Sequence, residues 1–244
     1  AAVQAHRPDV VLMDIRMPGM HFGKILFSPH PRARVAAIDT RAAAAIPGVR
    51  RVITAQDLPG TNRYGYDGEG NLTLRSNTVT RAVTIYSYDH RNRLINAVDR
   101  SAAGVATTTI LFGYDVMDRR VSKTVNGQTT HFVYNHDDPW ADLDSSGVVT
   151  ARYLMGELTD ELIARWRAGD GAGWYLTDHL GSVRDITAAD GRVLTHLDYG
   201  SFGTVLAPSR PELMGRFGFS GREFDPETGF HFYRSRYYSA DLGR

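Results

Sequence analysis

The residues most capable of chemistry lie near the C-terminus, in Gly221-Arg222-Glu223-Phe224-Asp225-Pro226-Glu227-Thr228-Gly229. Neighbouring carboxylates beside a cation can perform acid–base hydrolysis if two are held so closely that their pKa values separate, one giving a proton while the other activates water. Asp225, with Arg222 near it, is the candidate of that kind. The same residues also fit a β-turn with Asp first and Pro second, Arg222 then pairing with a neighbouring carboxylate, and that role is favoured here. Asp178-His179-Leu180-Gly181-Ser182 sets a carboxylate, an imidazole and a hydroxyl in one short run. Triad members normally come from separate elements, so the run reads as a polar turn. His131, His136, Asp137 and Asp138 carry metal-ligand chemistry, but residues 135–139 read more simply as a loop, and His30 between two prolines has no partner ligand. Gly169-Asp170-Gly171-Ala172-Gly173 has the glycines of a phosphate loop without the Lys or helix that should follow. No cofactor and no metal are expected.

Composition narrows the setting for these groups. The 244 residues, 42% of them hydrophobic, suffice for one large all-β domain or two ordinary ones. Lys and Arg number 28 against 27 Asp and Glu, so no overall field draws the chain to nucleic acid or an anionic membrane. The absence of cysteine removes disulfides, thiolate metal sites and Cys nucleophiles and leaves the compartment open. No apolar run approaches the length of a membrane span, and the first residues, without a basic leader or Met, read as though cut from something longer.

Repetition is the strongest signal. Tyr66-Asp67, Tyr88-Asp89 and Tyr114-Asp115 recur, with Tyr134-Asn135 as a degenerate fourth copy, at spacings of 22, 26 and 20 residues. Each unit has room for two strands and their turns, and runs such as Ala82–Tyr86 and Thr108–Phe112 have strand propensity. Asn126-Gly127 and Asp190-Gly191 stand between alternating runs as hairpin signals. In each Tyr-Asp pair the ring is expected to cover a neighbouring strand while the carboxylate reaches a turn amide or an Arg. Phe230-His231-Phe232-Tyr233-Arg234-Ser235-Arg236-Tyr237-Tyr238 mixes aromatic and basic residues, and its strict alternation argues for a strand rather than a base-stacking groove.

Three family resemblances follow from these motifs. Tyr66-Asp67-Gly68-Glu69-Gly70-Asn71-Leu72 and Tyr88-Asp89-His90-Arg91-Asn92-Arg93-Leu94 resemble YD repeats of the rearrangement-hotspot (RHS) family. Tyr175–Arg184 and Gly221–Phe230, continuing through Tyr233–Tyr238, resemble its RHS-associated core. The resemblance runs from about residue 61 to 244 and implies a mainly β fold: a coiled antiparallel sheet of YD hairpins, a partial β-shell. It also implies strand rather than helix over Thr159–Trp166. Pro8–Met20 resembles the third strand of a response-regulator receiver, with Asp14 at the phosphoacceptor position, but the partners such transfer needs are not in the sequence and Asp14 is read as a strand-end remnant. Residues 21–60 resemble the hammerhead segment opening the molybdenum-binding part of the xanthine dehydrogenase and aldehyde oxidase family, a scaffold piece with a short helix from about Thr40 to Ile46 and a strand from Val49 to Thr54. The expected organisation is therefore a receiver-like fragment at 1–20, a small hammerhead-like α/β segment at 21–60, YD hairpins at 61–157 and a truncated core at 158–244.

What the RHS resemblance implies is a structural, non-enzymatic scaffold that encapsulates or presents a C-terminal toxin cargo. Its location would be secreted or at the cell surface, with a cell-surface glycan or a secretion-apparatus protein as further partners and no nucleic acid. Two rival readings stand beside it: a carbohydrate- or surface-binding repeat module, and an aspartate-dependent self-cleaving core. The family's core cleaves next to an Asp-Pro stretch expected beyond Arg244, and Ser239-Ala240 stand where that family usually has Asp-Pro. Asp225, matching the Asp of the core motif, is therefore expected to be inactive here.

Overall fold

The computed structural model describes residues 40–47, 49, 52, 62–157, 160–206 and 208–244. The chain divides into two units, residues 1–59 and 60–244. In the first, the described part holds one helical turn, Arg41–Ala44, within the predicted Ala-rich helix. Asp14, His30 and most of the expected strand from Val49 to Thr54 lie outside the described residues.

The second unit is an antiparallel meander. Thirteen strands pair in strict sequence order: β1 (Asn62–Tyr66), β2 (Leu72–Asn77), β3 (Val83–Tyr88), β4 (Leu94–Arg100), β5 (Ala106–Tyr114), β6 (Arg120–Val125), β7 (Gln128–Asn135), β8 (Asp138–Leu143), β9 (Val149–Met155), β10 (Leu162–Arg167), β11 (Gly171–Thr177), β12 (Val183–Thr187) and β13 (Val193–His196). The sheet is not closed. Its run through β9 and β10 is continuous, and the strand expected over Thr159–Trp166 is β10. β14 (Glu223–Asp225), β15 (Phe230–Phe232) and β16 (Tyr237–Ser239) form a second, three-stranded sheet.

One face of the large sheet is buried and the other is not, as period-2 alternation demands. Tyr86, Leu94, Ala97, Ile110 and Phe112 form an apolar cluster with Phe230 of β15. Further along, Tyr153, Tyr175, Val183, Ile186 and Leu194 pack with Leu197, Met214 and Phe217. The segment after β13 thus supplies the cover for the buried face. Each such side chain, fully removed from water, contributes about 1.5–3 kcal/mol. The opposite face stays open, with Ile85, Leu111, Trp140, Leu154, Trp166, Trp174 and Leu176 between 39% and 53% exposed.

Two sequence expectations are refined by the backbone. Asn126-Gly127 is a two-residue hairpin turn with φ of 48° and 86°, the geometry for which Asn-Gly is favoured. Asp190-Gly191 instead sits in a longer loop closed by Ala188 and Arg192. Phe230–Tyr238 is not one strand: Tyr233 N–H donates to the Arg236 carbonyl at 2.8 Å and Arg234 adopts φ 62°, folding the segment into the β15–β16 hairpin. Alternation continues across this turn because the hairpin register places Phe230, Phe232 and Tyr237 on one side and His231 and Tyr238 on the other.

Candidate functional site

Two constructions bring the chemically capable residues together: a rim of Tyr-Asp turns along the sheet and a buried ionic seam beneath the small sheet. At the rim each Asp closes its own turn. Asp89 Oδ1 accepts from Arg91 N–H at 2.9 Å and Arg93 N–H at 3.0 Å, while Arg93 Nε donates to Oδ2 at 2.8 Å. Asp115 repeats this with Met117, Arg119 and the Arg119 Nε, and Asp67 with Glu69, Asn71 and the Asn71 amide. Burial works against ionisation of Asp89, but Arg93 and the turn amides outweigh it and bring its pKa down to about 2. Three residues after each Asp stands Gly70, Asn92 or Asp118 in the left-handed region, where Gly, Asn and Asp are the least strained.

Each Tyr follows a register shift, and its hydroxyl crosses to the preceding repeat. Tyr88 donates to the Leu72 carbonyl at 3.1 Å, Tyr114 to Leu94 at 2.7 Å and Tyr134 to Arg120 at 2.9 Å. Each acceptor lies five residues after the previous repeat's Asp. Arg93 and Arg119 then stack 4.9 and 5.5 Å over the next repeat's Tyr114 and Tyr134. One turn is thereby stapled to the next, and this explains why the tyrosine and the aspartate recur together. Tyr66, in the first of these repeats, carries Arg244 over its ring at 4.6 Å.

The seam begins at Arg120, whose side chain is only 1% exposed. Its guanidinium donates to Glu223 and Asp225 of β14 and, at 3.1 Å, to the Tyr237 hydroxyl, enclosed by the rings of Phe112, Phe132 and Phe232. Lys123 Nζ reaches Asp225 and Glu227, both at 3.0 Å. Arg216 pairs with Glu223 at 2.9 Å and with Asp142, whose other oxygen accepts from Tyr153 at 2.6 Å. Burial pushes both Asp225 and Glu223 up, yet the charges of Arg120 and Lys123 on the first, and of Arg216 and Arg120 on the second, hold both below their ordinary values. This is the reverse of a proton-sharing pair: both carboxylates are ionised at neutral pH, and each has its own cation.

The other sequence candidates separate. Arg222 is not beside Asp225; it pairs with Asp160 at 2.8 Å. Asp225 does open a turn, its carbonyl accepting from Thr228 and Gly229 N–H. Asp178 caps its own turn through Leu180 and Ser182 N–H, Ser182 Oγ accepts from Ser220 N–H at 2.9 Å, and His179 is exposed with no side-chain hydrogen bond among the described residues. Among the described residues no group of three or more His, Asp or Glu is placed to hold a metal. No helix of the described residues is long and apolar enough to cross a membrane. Arg120 and Lys123 of β6 and Arg216 of the segment after β13 are not singled out in the sequence, where nothing distinguishes them from the other cations.

The family model of the Teneurin YD-shell matches residues 51–244. The chain belongs to this family. It is 26% identical over 227 residues to double-stranded DNA deaminase toxin A of Burkholderia cenocepacia, a match covering 80% of the chain but 15% of that protein. This YD-shell chain therefore spans a small part of the length of that relative. Among solved structures, the crystal structure of TcdB2-TccC3-TEV superposes with a TM-score of 0.52 at 18% identity over 75% of this chain and 12% of that one, a likeness of fold. A stretch of 51 residues is 49% identical to the carbon monoxide dehydrogenase large chain of Afipia carboxidovorans, 21% of this chain and 6% of that protein.

Proposed function

We propose that residues 62–244 are a wall segment, with its inner closure, of a shell that encloses a toxin cargo, and that the segment performs no catalysis of its own. The supporting observation is the seam. A three-stranded sheet is fixed to one face of the repeat meander by Arg120 and Arg216, and the carboxylates that would otherwise be catalytic are consumed in that attachment. A wall needs such a fixed inner element, and a hydrolytic pair needs a free one. The cargo would be polypeptide lying C-terminal to this segment, and a secreted or cell-surface setting follows from the same reading, with a secretion-apparatus protein as a further partner. The rival self-cleaving reading finds Asp225 paired on both oxygens and Asp241 exposed.

Intact-mass measurement during prolonged incubation at pH 5 to 8 tests the non-catalytic part, with a single unchanged mass expected. A discrete fragment that disappears in Asp225→Asn would overturn it. Trypsin digestion of an unfolded polypeptide appended after Arg244 tests enclosure. Cleavage slower than that of the free polypeptide, and restored by Arg120→Met, is expected; equal rates in all three would count against a wall.

A further inference from the structure

Arg120, Arg216 and Arg165 are all buried in the second unit, and the first two are matched by charge. Arg120 has Glu223 and Asp225, and Arg216 has Asp142 and Glu223. The third is not. Arg165 of β10 is 3% exposed, yet among the described residues no carboxylate lies within ion-pairing distance of it. Its Nη2 donates to the Leu213 carbonyl, and its Nη1 has no partner. A guanidinium does not shed its proton to escape burial, so one left without an anion is strongly unfavourable.

A second orphaned donor stands nearby. Arg165 lies in register with Gly173 of β11, where a Cβ would come within 3.5 Å of Arg165 Nε, so its stem crosses β11 at the residue without a side chain. Two residues further on, on the same inward face, is Tyr175, whose hydroxyl is buried and also has no partner. Burial pushes that hydroxyl above its ordinary pKa, against the charge of Arg165, so it remains a donor at ordinary pH. Burial likewise pulls Arg165 below its ordinary value, and the group that opposes this most is Tyr175 rather than any carboxylate. Asp142, the carboxylate of this core, is taken at one oxygen by Arg216 and at the other by Tyr153 at 2.6 Å. Water would accept both hydrogen bonds but leave the charge unmatched, whereas an anion answers both. Crowding limits its size: a Cβ at Gly173 would meet Ile186 at 2.8 Å, and one at Gly215 would meet Arg165 Nη1 at 2.1 Å. We propose that Arg165 and Tyr175 hold a buried monoatomic anion, chloride in kind, between the sheet and the segment after β13. The site goes beyond the wall function and is independent of it, because neither residue takes part in the seam. Arg165 also holds Leu213, so the ion locks that segment against β10 and β11.

Anomalous diffraction from crystals of the full chain grown in sodium bromide tests the site directly, with a bromide in contact with Arg165 Nη1 and the Tyr175 hydroxyl expected. Thermal unfolding is the second readout. Replacing gluconate by chloride at a constant ionic strength of about 0.5 M should raise the midpoint by about 2–4 °C, the shift of a site well filled at that concentration. Arg165→Met should abolish the rise and Tyr175→Phe should reduce it. Arg165→Met removes an unmatched charge and keeps an apolar side chain of similar length, so it is expected to fold. If it does not, Tyr175→Phe and the bromide map decide. Bromide confined to the surface, a water in that position in the bromide crystals, equal midpoints in the two salts, or an undiminished chloride effect in either variant would overturn the assignment.

Discussion

The rim of Tyr-Asp turns and the seam under the small sheet use the same side-chain chemistry, arginine against carboxylate, to opposite ends. At the rim the ion pairs keep some access to water: the side chains of Arg91 and Asp118 are 43% and 36% exposed, and those of Arg119 and Asp115 28% and 21%. In the seam Arg120 and Asp225 are each 1% exposed. An exposed pair is screened and contributes little, so the rim gains its strength by repeating a small contact in every turn. A buried pair has already given up hydration, so its net stabilisation is small while the cost of removing one partner is large. The rim therefore tolerates degeneracy, as Tyr134-Asn135 shows by keeping the tyrosine bond without an aspartate cap. The seam has no such freedom.

The sharpest way to break this contrast is Arg120→Met. It leaves Glu223 and Asp225 buried with fewer counter-charges, and a loss of about 3–5 kcal/mol is expected in urea unfolding. A loss below about 1 kcal/mol would mean that water already reaches the seam.

Acid should act next, and in two stages. His231 is fully buried among Phe219, Phe224 and Tyr238; its Nε2 bonds the Gly203 carbonyl at 3.1 Å and its Nδ1 has no partner. Burial lowers its pKa below 6.5, against the Gly203 bond and the charge of Asp225. A folded-state pKa below the unfolded one means that the unfolded chain binds the proton more readily. The stability from neutral His231 is thus complete above pH 6.5 and is lost as pH falls through 6.5 towards the folded value. Asp225 and Glu223 are also depressed, from 3.8 and 4.5, so their contribution holds above those values and is lost only below them. Unfolding free energy measured from pH 8 to 3 should fall first as pH drops below 6.5 and again below about 4.5. His231→Phe should remove the first fall and leave the second.

How much of this was legible depended on whether a function was local in sequence. The Tyr-Asp recurrence predicted hairpins because turn chemistry is encoded within five residues, from Asp89 to Arg93 and from Asp115 to Arg119. The seam was invisible because Arg120 and Asp225 stand 105 residues apart, and nothing in the spacing says which strand cation will be covered. The core motif did mark Asp225 as special, but its partner proved to be Arg120 rather than Arg222. Even within the rim, the cap and the bond come apart where the dipeptide does not advertise them. Asp144 and Asp178 cap turns without a preceding tyrosine, and Tyr199 reaches the Val183 carbonyl at 2.8 Å without an aspartate after it.

Tyr114→Phe tests a rim bond, that to the Leu94 carbonyl at 2.7 Å, together with the weaker contact of the same hydroxyl to Tyr237 at 3.3 Å. Burial pushes the Tyr114 hydroxyl up to about 12, so it is a donor at any ordinary pH. Deleting it leaves the Leu94 carbonyl one partner short while the ring stays packed, and about 1 kcal/mol should be lost. Phe112→Leu at the seam wall would be a poor control, since it changes packing as well as the ring over Arg120.

The smallest effect belongs to Arg91→Ala. Its guanidinium bonds Asp118 at 2.6 Å, yet Asp118 also has Arg93 at 2.8 Å and keeps that partner when Arg91 is gone. The Asp89 cap uses the Arg91 backbone N–H, which alanine retains at 2.9 Å. What disappears is one exposed pair, with the side-chain entropy of a long residue returned in exchange. Urea unfolding should therefore shift by no more than about 0.5 kcal/mol, and still less in about 1 M salt. Arg93→Ala is the informative companion. Arg93 joins Asp89, Asp118 and the Tyr114 ring at once, so its removal should cost more than twice as much as that of Arg91. Equal losses from the two would mean that the stapling between successive turns adds nothing beyond its separate ion pairs, and the distinction drawn between rim and seam would rest on burial alone.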